Sequence, residues 1–211
     1  MTAICPTVTA YDPHEYREQM ELIAPFAKSV HIDLMDGHFA PTKSPGLMHV
    51  WWSDGIKADI HLMYERPLPQ LSMLIKLRPH TAIIHAEADV DHIHFATSLR
   101  HVGIRAGLAL LPETSVESVK DILKKFDHAL IFSGRLGYHG GHADLGLLDK
   151  VRQVKELYPD IEIGWDGGIN DKNARALIDA GTDVMNVGGF ISGAVDPKAA
   201  YAKLEEVIRA K

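Results

Sequence analysis

A chain of 211 residues, 46% hydrophobic and 24% charged, has globular composition, neither disordered nor fibrous, and is long enough to bury a sizeable core. Its formal net charge of −6, with histidines neutral, argues against a general electrostatic grip on nucleic acid or acidic membranes; a small phosphorylated ligand stays open, because backbone amides hold phosphate without net positive charge. The lone Cys5 excludes an intramolecular disulfide, no run approaches the roughly 20 apolar residues of a membrane span, and Met1-Thr2-Ala3-Ile4-Cys5-Pro6 lacks a basic start followed by a long apolar run, so a reducing cytoplasm is the expected setting.

Short apolar runs alternate with amphipathic stretches from end to end. A strand over 2–8 leads to a helix near 12–27, and a strand over 30–34 to a helix over 46–55. Strands over 58–62, 81–85 and 105–109 lead to helices near 67–77, 90–101 and 114–125. Strands over 128–132, 160–164 and 183–187 lead to helices near 145–157, 171–180 and 197–209. Asp196-Pro197 and Pro112-Glu113-Thr114 have the proline and capping residue of a helix start. Eight β-α alternations predict an α/β fold, a closed (β/α)8 TIM barrel, with an open doubly wound sheet as the alternative. No Pro/Ser/Gly-rich linker or charge run divides the sequence, so residues 1–211 are expected to form a single catalytic domain.

The chemically distinctive residues fall where the strands are expected to end, on the rim where barrels build their sites. In His31-Ile32-Asp33 the first and third side chains point the same way along a strand. His61 on the neighbouring strand and Asp166 after the seventh can join them. Two imidazoles and two carboxylates make a site for one divalent transition metal: zinc, iron, manganese or cobalt. For a single histidine among the 13 the plainer reading is structural; the four-residue combination is what points to a metal. Gly167-Gly168 and Gly188-Gly189 follow the last two strands, where barrels commonly bind phosphate. Gly137-Tyr138-His139-Gly140-Gly141-His142 follows strand six and reads as a lid or a further phosphate contact. His92 and His94 read as surface-helix residues, Trp51-Trp52 as packing for the second helix, and Lys124-Lys125 as a solvated face.

Along nearly its whole length the chain resembles ribulose-phosphate 3-epimerase and its sugar-phosphate epimerase relatives. The resemblance is carried by His31-Ile32-Asp33-Leu34-Met35-Asp36-Gly37-His38-Phe39, Asp59-Ile60-His61-Leu62-Met63, His85-Ala86-Glu87-Ala88 and Asp166-Gly167-Gly168-Ile169. It implies a ribulose-phosphate-binding type of barrel and one catalytic divalent metal held by His31, Asp33, His61 and Asp166. It also implies that Asp33 and Asp166 exchange protons with opposite faces of a substrate carbon. Met35 and Met63 match site-lining methionines, and Thr7 takes the place of a substrate-contacting serine. The implied partner is a small-molecule ketose phosphate, with self-association into a homo-oligomer and no nucleic acid or membrane. The reaction implied is epimerisation of ribulose 5-phosphate and xylulose 5-phosphate, in the setting of the pentose phosphate pathway. The sequence departs from the family pattern in four places. Gly134–His142 replaces an Asn-Pro-Gly-Phe-Gly-Gly-Gln-like loop, Phe132 a methionine, Gly164-Trp165 a Glu-Val pair, and Gly189 a serine. These changes surround the substrate and leave the metal ligands intact, so a six-carbon ketose phosphate such as allulose 6-phosphate is the nearest rival substrate. A non-catalytic sugar-phosphate-binding barrel is the rival of a different class; it would have no need of two opposed acid/base groups.

Overall fold

The computed structural model describes residues 2–210; Met1 and Lys211, which bound the expected domain, lie outside the described residues. Eight strands close into a parallel barrel in sequence order: β1 (Ala3–Thr9), β2 (Ser29–Met35), β3 (Lys57–Met63), β4 (Thr81–His85), β5 (Arg105–Leu110), β6 (His128–Phe132), β7 (Glu162–Asp166) and β8 (Val184–Val187), with β8 pairing back onto β1. The helices are α1 (Pro13–Ile23), α2 (Leu71–Leu77), α3 (His92–His101), α4 (Val116–Leu123), α5 (Leu148–Leu157), α6 (Ala174–Ala180), α7 (Gly189–Ser192) and α8 (Pro197–Arg209). None is long and apolar enough to cross a membrane.

Alternation along each strand divides the molecule into two interiors. Ile32, Leu34, Ile60, Leu62, Ile84 and Trp165 face outward into one continuous core beneath the helices. The opposite set faces the barrel axis, where Ile83, Ala109 and Leu130 form a small apolar plug and most other positions are polar. A barrel interior is normally filled with branched apolar side chains. Here it holds His31, Asp33, His61, His85 and Asp166, all buried.

The sequence expectations need four corrections. No α-helix covers 46–55; a single 3-10 turn, Leu47–His49, stands in an otherwise irregular connection. Trp51 accordingly packs edge-on against Tyr16 of α1, and the Tyr16 hydroxyl donates to the Trp51 carbonyl at 2.6 Å. Helix α1 stops at Ile23 instead of continuing to 27: Ala24 keeps a helical conformation and its amide still donates to the Met20 carbonyl, but Pro25 has no amide to donate to the next carbonyl. The start of α4 moves to Ser115, whose hydroxyl accepts from the Ser118 amide, while Thr114 turns to Glu87. Strand β7 runs two residues later than 160–164, so Asp166 is its last residue and not part of the following loop.

Candidate functional site

Strand register builds the site as a row. Thr9 of β1 pairs with Asp33 of β2, and Asp33 pairs with His61 of β3. His31 lies one inward position below Asp33, and Asp166 approaches from β7. Barrel closure therefore gathers His31 Nε2, His61 Nδ1 and one oxygen each of Asp33 and Asp166, all within 4.8 Å of one another. His61 Nδ1 is 3.0 Å from Asp33 Oδ1 and 3.9 Å from Asp166 Oδ2. His31 Nε2 is 3.3 Å from Asp33 Oδ1, 3.9 Å from Asp166 Oδ2 and 3.3 Å from His61 Nδ1.

The two carboxylates are pushed apart in proton affinity. Burial works against the charge on Asp33, but hydrogen bonds from His31 and His61 outweigh it and hold the group well below the usual carboxylate range. Asp166 lacks that support: burial, reinforced by the charge on Asp33, pushes it up to about 7. His61 falls to about 3, chiefly through burial. His31 is raised because Asp33 and Asp166 overcome its burial. Such a divergence between neighbouring titratable groups is the usual mark of an acid/base pair. The donor set also fits a divalent metal: two imidazole nitrogens and two carboxylate oxygens, buried and convergent, are the ligand types of zinc, iron, manganese or cobalt sites.

Further residues brace the cluster. Thr9 Oγ1 donates to Asp33 Oδ2 at 2.7 Å, and Gln19 clamps the Thr9 backbone from both sides. His85 stacks on His61, ring centroids 4.9 Å apart, with Nε2 to Nε2 at 2.8 Å. A cavity of about 360 Å³ opens above, lined by Thr7, Asp33, Met63, Phe132, Asp166, Asn186 and the glycine loops, a size suited to a small ligand. Met35 does not reach it; it packs behind with Met63, Ala40 and Phe39. Gly137, Gly140, Gly167, Gly168, Gly188 and Gly189 all border the cavity.

The segment Gly134–Ala143 lies against the glycines that follow β7 and β8. A side chain on Gly168, which has φ +69°, would begin 2.0 Å from the Ala143 amide nitrogen, so that glycine is what lets the loop lie down. The loop brings Arg135, stacked 4.0 Å over Tyr138, and His139, whose Nε2 is 2.8 Å from Ser192 Oγ. His139 occupies the space beside Gly188. Thr9 and Asn186 are site residues that the sequence reading did not select; His85 entered it at the end of strand four, in the motif His85-Ala86-Glu87-Ala88, without an assigned role.

The sequence matches the Ribulose-phosphate 3 epimerase family over residues 3–192. The chain belongs to the ribulose-phosphate 3-epimerase family. It is 32% identical to ribulose-phosphate 3-epimerase of Helicobacter pylori over 97% of both chains. It is also 32% identical to that of Mycobacterium leprae, over 95% of this chain and 92% of the relative. A solved structure of 3-hexulose-6-phosphate synthase superposes with a TM-score of 0.76 over 98% of this chain and 99% of that one, a likeness of fold at 15% identity. The protein is thus an isomerase, an epimerase acting on carbohydrate.

Proposed function

We propose that the protein is a metal-dependent 3-epimerase of a ketose phosphate that interconverts ribulose 5-phosphate and xylulose 5-phosphate. The observation that carries this reading is the convergence of two carboxylates, Asp33 from β2 and Asp166 from β7, with His31 and His61 in one buried cluster at the floor of the cavity. His31, Asp33, His61 and Asp166 would hold one divalent ion. When bound, the ion supplies positive charge that stabilises the oxyanion developing as a carbon-bound proton leaves.

The proton chemistry belongs to the aspartates. Asp33 removes the proton from the carbon beside the ketone, leaving an enediolate. Protonated Asp166 returns a proton to the same carbon from the other face, which inverts it and leaves Asp33 protonated and Asp166 ionised; the reverse reaction swaps the roles. General acid-base transfer contributes about 10²–10⁴-fold, so charge stabilisation must supply the rest. Thr7 and Met63 would wall the sugar, with Met35 bracing Met63. Backbone at Gly137, Gly140, Gly167, Gly168, Gly188 and Gly189 would receive the phosphate. Residues 1–211 would act as one catalytic domain in the cytoplasm, as a homo-oligomer whose partner is a small-molecule ketose phosphate.

A six-carbon ketose phosphate is the second reading, because the loop that departs from the family pattern supplies Arg135, His139 and His142 to the cavity wall. Metal-depleted protein is expected to lose epimerisation of ribulose 5-phosphate and to regain it with a divalent ion. Full activity in a verified metal-depleted sample would refute the proposal. Rates on five- and six-carbon ketose phosphates, measured side by side, decide between the substrates.

A further inference from the structure

We infer that Asn186, together with Thr7, forms a polar subsite that binds a hydroxyl of the substrate chain between its reacting carbon and its phosphate. The inference rests on the ketose-phosphate reading above and names a residue that the sequence reading did not select.

On β8, Met185 and Val187 belong to the outer core, so the residue between them faces the barrel axis. Asn186 is 2% exposed and lines the cavity. Neither its Oδ1 nor its Nδ2 has a hydrogen-bond partner among the described residues. Thr7 Oγ1, on the adjoining strand, is likewise buried and unpartnered. A buried amide left without partners costs stability, and native proteins pair nearly all such groups. Two neighbouring strands that both leave a polar side chain unpaired against one cavity are suited to a ligand that completes them.

Position and chemistry limit what that ligand group is. Asn186 is in register with Asp166 on one side and Cys5 on the other, and it precedes Gly188 by two residues. Thr7 Cβ is 3.7 Å from the point where a side chain on Gly188 would begin. The pair therefore stands between the acid/base carboxylate and the glycine loop. An amide and a hydroxyl each donate and accept, and neither carries charge. That pattern matches a neutral alcohol, whereas an anion would call for donors alone. In ribulose 5-phosphate the group so placed is the 4-hydroxyl.

The test crosses a side-chain change with a substrate change. Asn186→Leu keeps the shape and removes both polar atoms; Thr7→Val is the milder companion should the first fail to fold. For each, kcat and KM are measured on ribulose 5-phosphate and on its 4-deoxy analogue, alongside thermal unfolding. The wild type is expected to prefer the hydroxylated substrate by about 10–100-fold in kcat/KM, and the variants to lose most of that preference. Asn186→Leu should unfold at a temperature no lower than the wild type, since it replaces an unpaired buried amide with an apolar group. Unchanged discrimination in both variants, or a lowered unfolding temperature with discrimination intact, would overturn the inference and leave the amide a structural group. A wild type that epimerises neither five- nor six-carbon ketose phosphates would sink the underlying reading, a failure visible before any variant is made.

Discussion

Asp33 stays ionised in a buried site because each of its oxygens is claimed. Oδ1 faces the imidazoles of His31 and His61, and Oδ2 accepts from Thr9 Oγ1. Asp166 has only the distant edges of the same imidazoles, 3.9 Å away, and its proton affinity rises. A hydroxyl donating to a carboxylate contributes about 1.5–3 kcal/mol. Thr9→Val is therefore expected to lower kcat/KM by about 10–100-fold through a mis-set Asp33. Its circular dichroism spectrum should match the wild type, because Gln19 holds the Thr9 backbone and not its side chain. Unaltered kinetics would show that Asp33 does not depend on Thr9. The four ligand candidates were legible in the sequence because i, i+2 spacing on a strand fixes a shared direction and strand ends share a rim. Thr9 and Asn186 were not, because their importance depends on which residues stand opposite them, and register between strands is written in no local spacing.

At the scale of elements, strands were easier to read than what joins them. Runs such as Ile60-His61-Leu62 announce themselves by apolar side chains on the outward face. The connection after β2 misled because Leu47, Val50 and Trp51 imitate a helical stripe. Pro45, Gly46 and Gly55 punctuate it too closely for a helix to propagate, Val50 is extended, and the Tyr16 hydroxyl ties the Trp51 carbonyl to α1. The displacement of β7 has a similar source. Asp160, read as the strand start, lies in a turn with Pro159, and Trp165, fully buried, carries the strand on to Asp166. The glycines after β7 were read as phosphate contacts. They also serve a packing purpose, since Gly167 and Gly168 let Gly134–Ala143 lie directly on them, a contact no spacing rule foretells.

Over the whole molecule the barrel separates chemistry from stability, as its architecture favours. At the end opposite the cavity, Arg105 Nη1 donates to Glu162 Oε1 at 2.8 Å and His128 Nδ1 lies 2.9 Å from the same oxygen. Burial opposes the charge on Glu162, but His128 and Arg105 overcome it and bring the group from 4.5 down to about 2. A depressed carboxylate stabilises the fold fully above its unfolded value and loses that contribution as pH falls from 4.5 towards 2. Glu162→Gln should therefore cost on the order of 1–2 kcal/mol at neutral pH, allowing for solvent screening of a partly exposed pair. Its stability should fall less steeply below pH 4.5, with kcat unchanged; pH-dependent thermal unfolding of both proteins checks this, and parallel curves would refute it. The cavity end carries the central claim, that β2 and β7 present two aspartates to opposite faces of one substrate carbon. The most direct test is epimerisation of ribulose 5-phosphate in heavy water by Asp33→Asn and Asp166→Asn, each with its bound metal quantified. Both folded, metal-containing variants should lose turnover by about 10²–10⁴-fold, while the wild type places solvent deuterium on the inverted carbon; near-native rates in both variants would contradict the account.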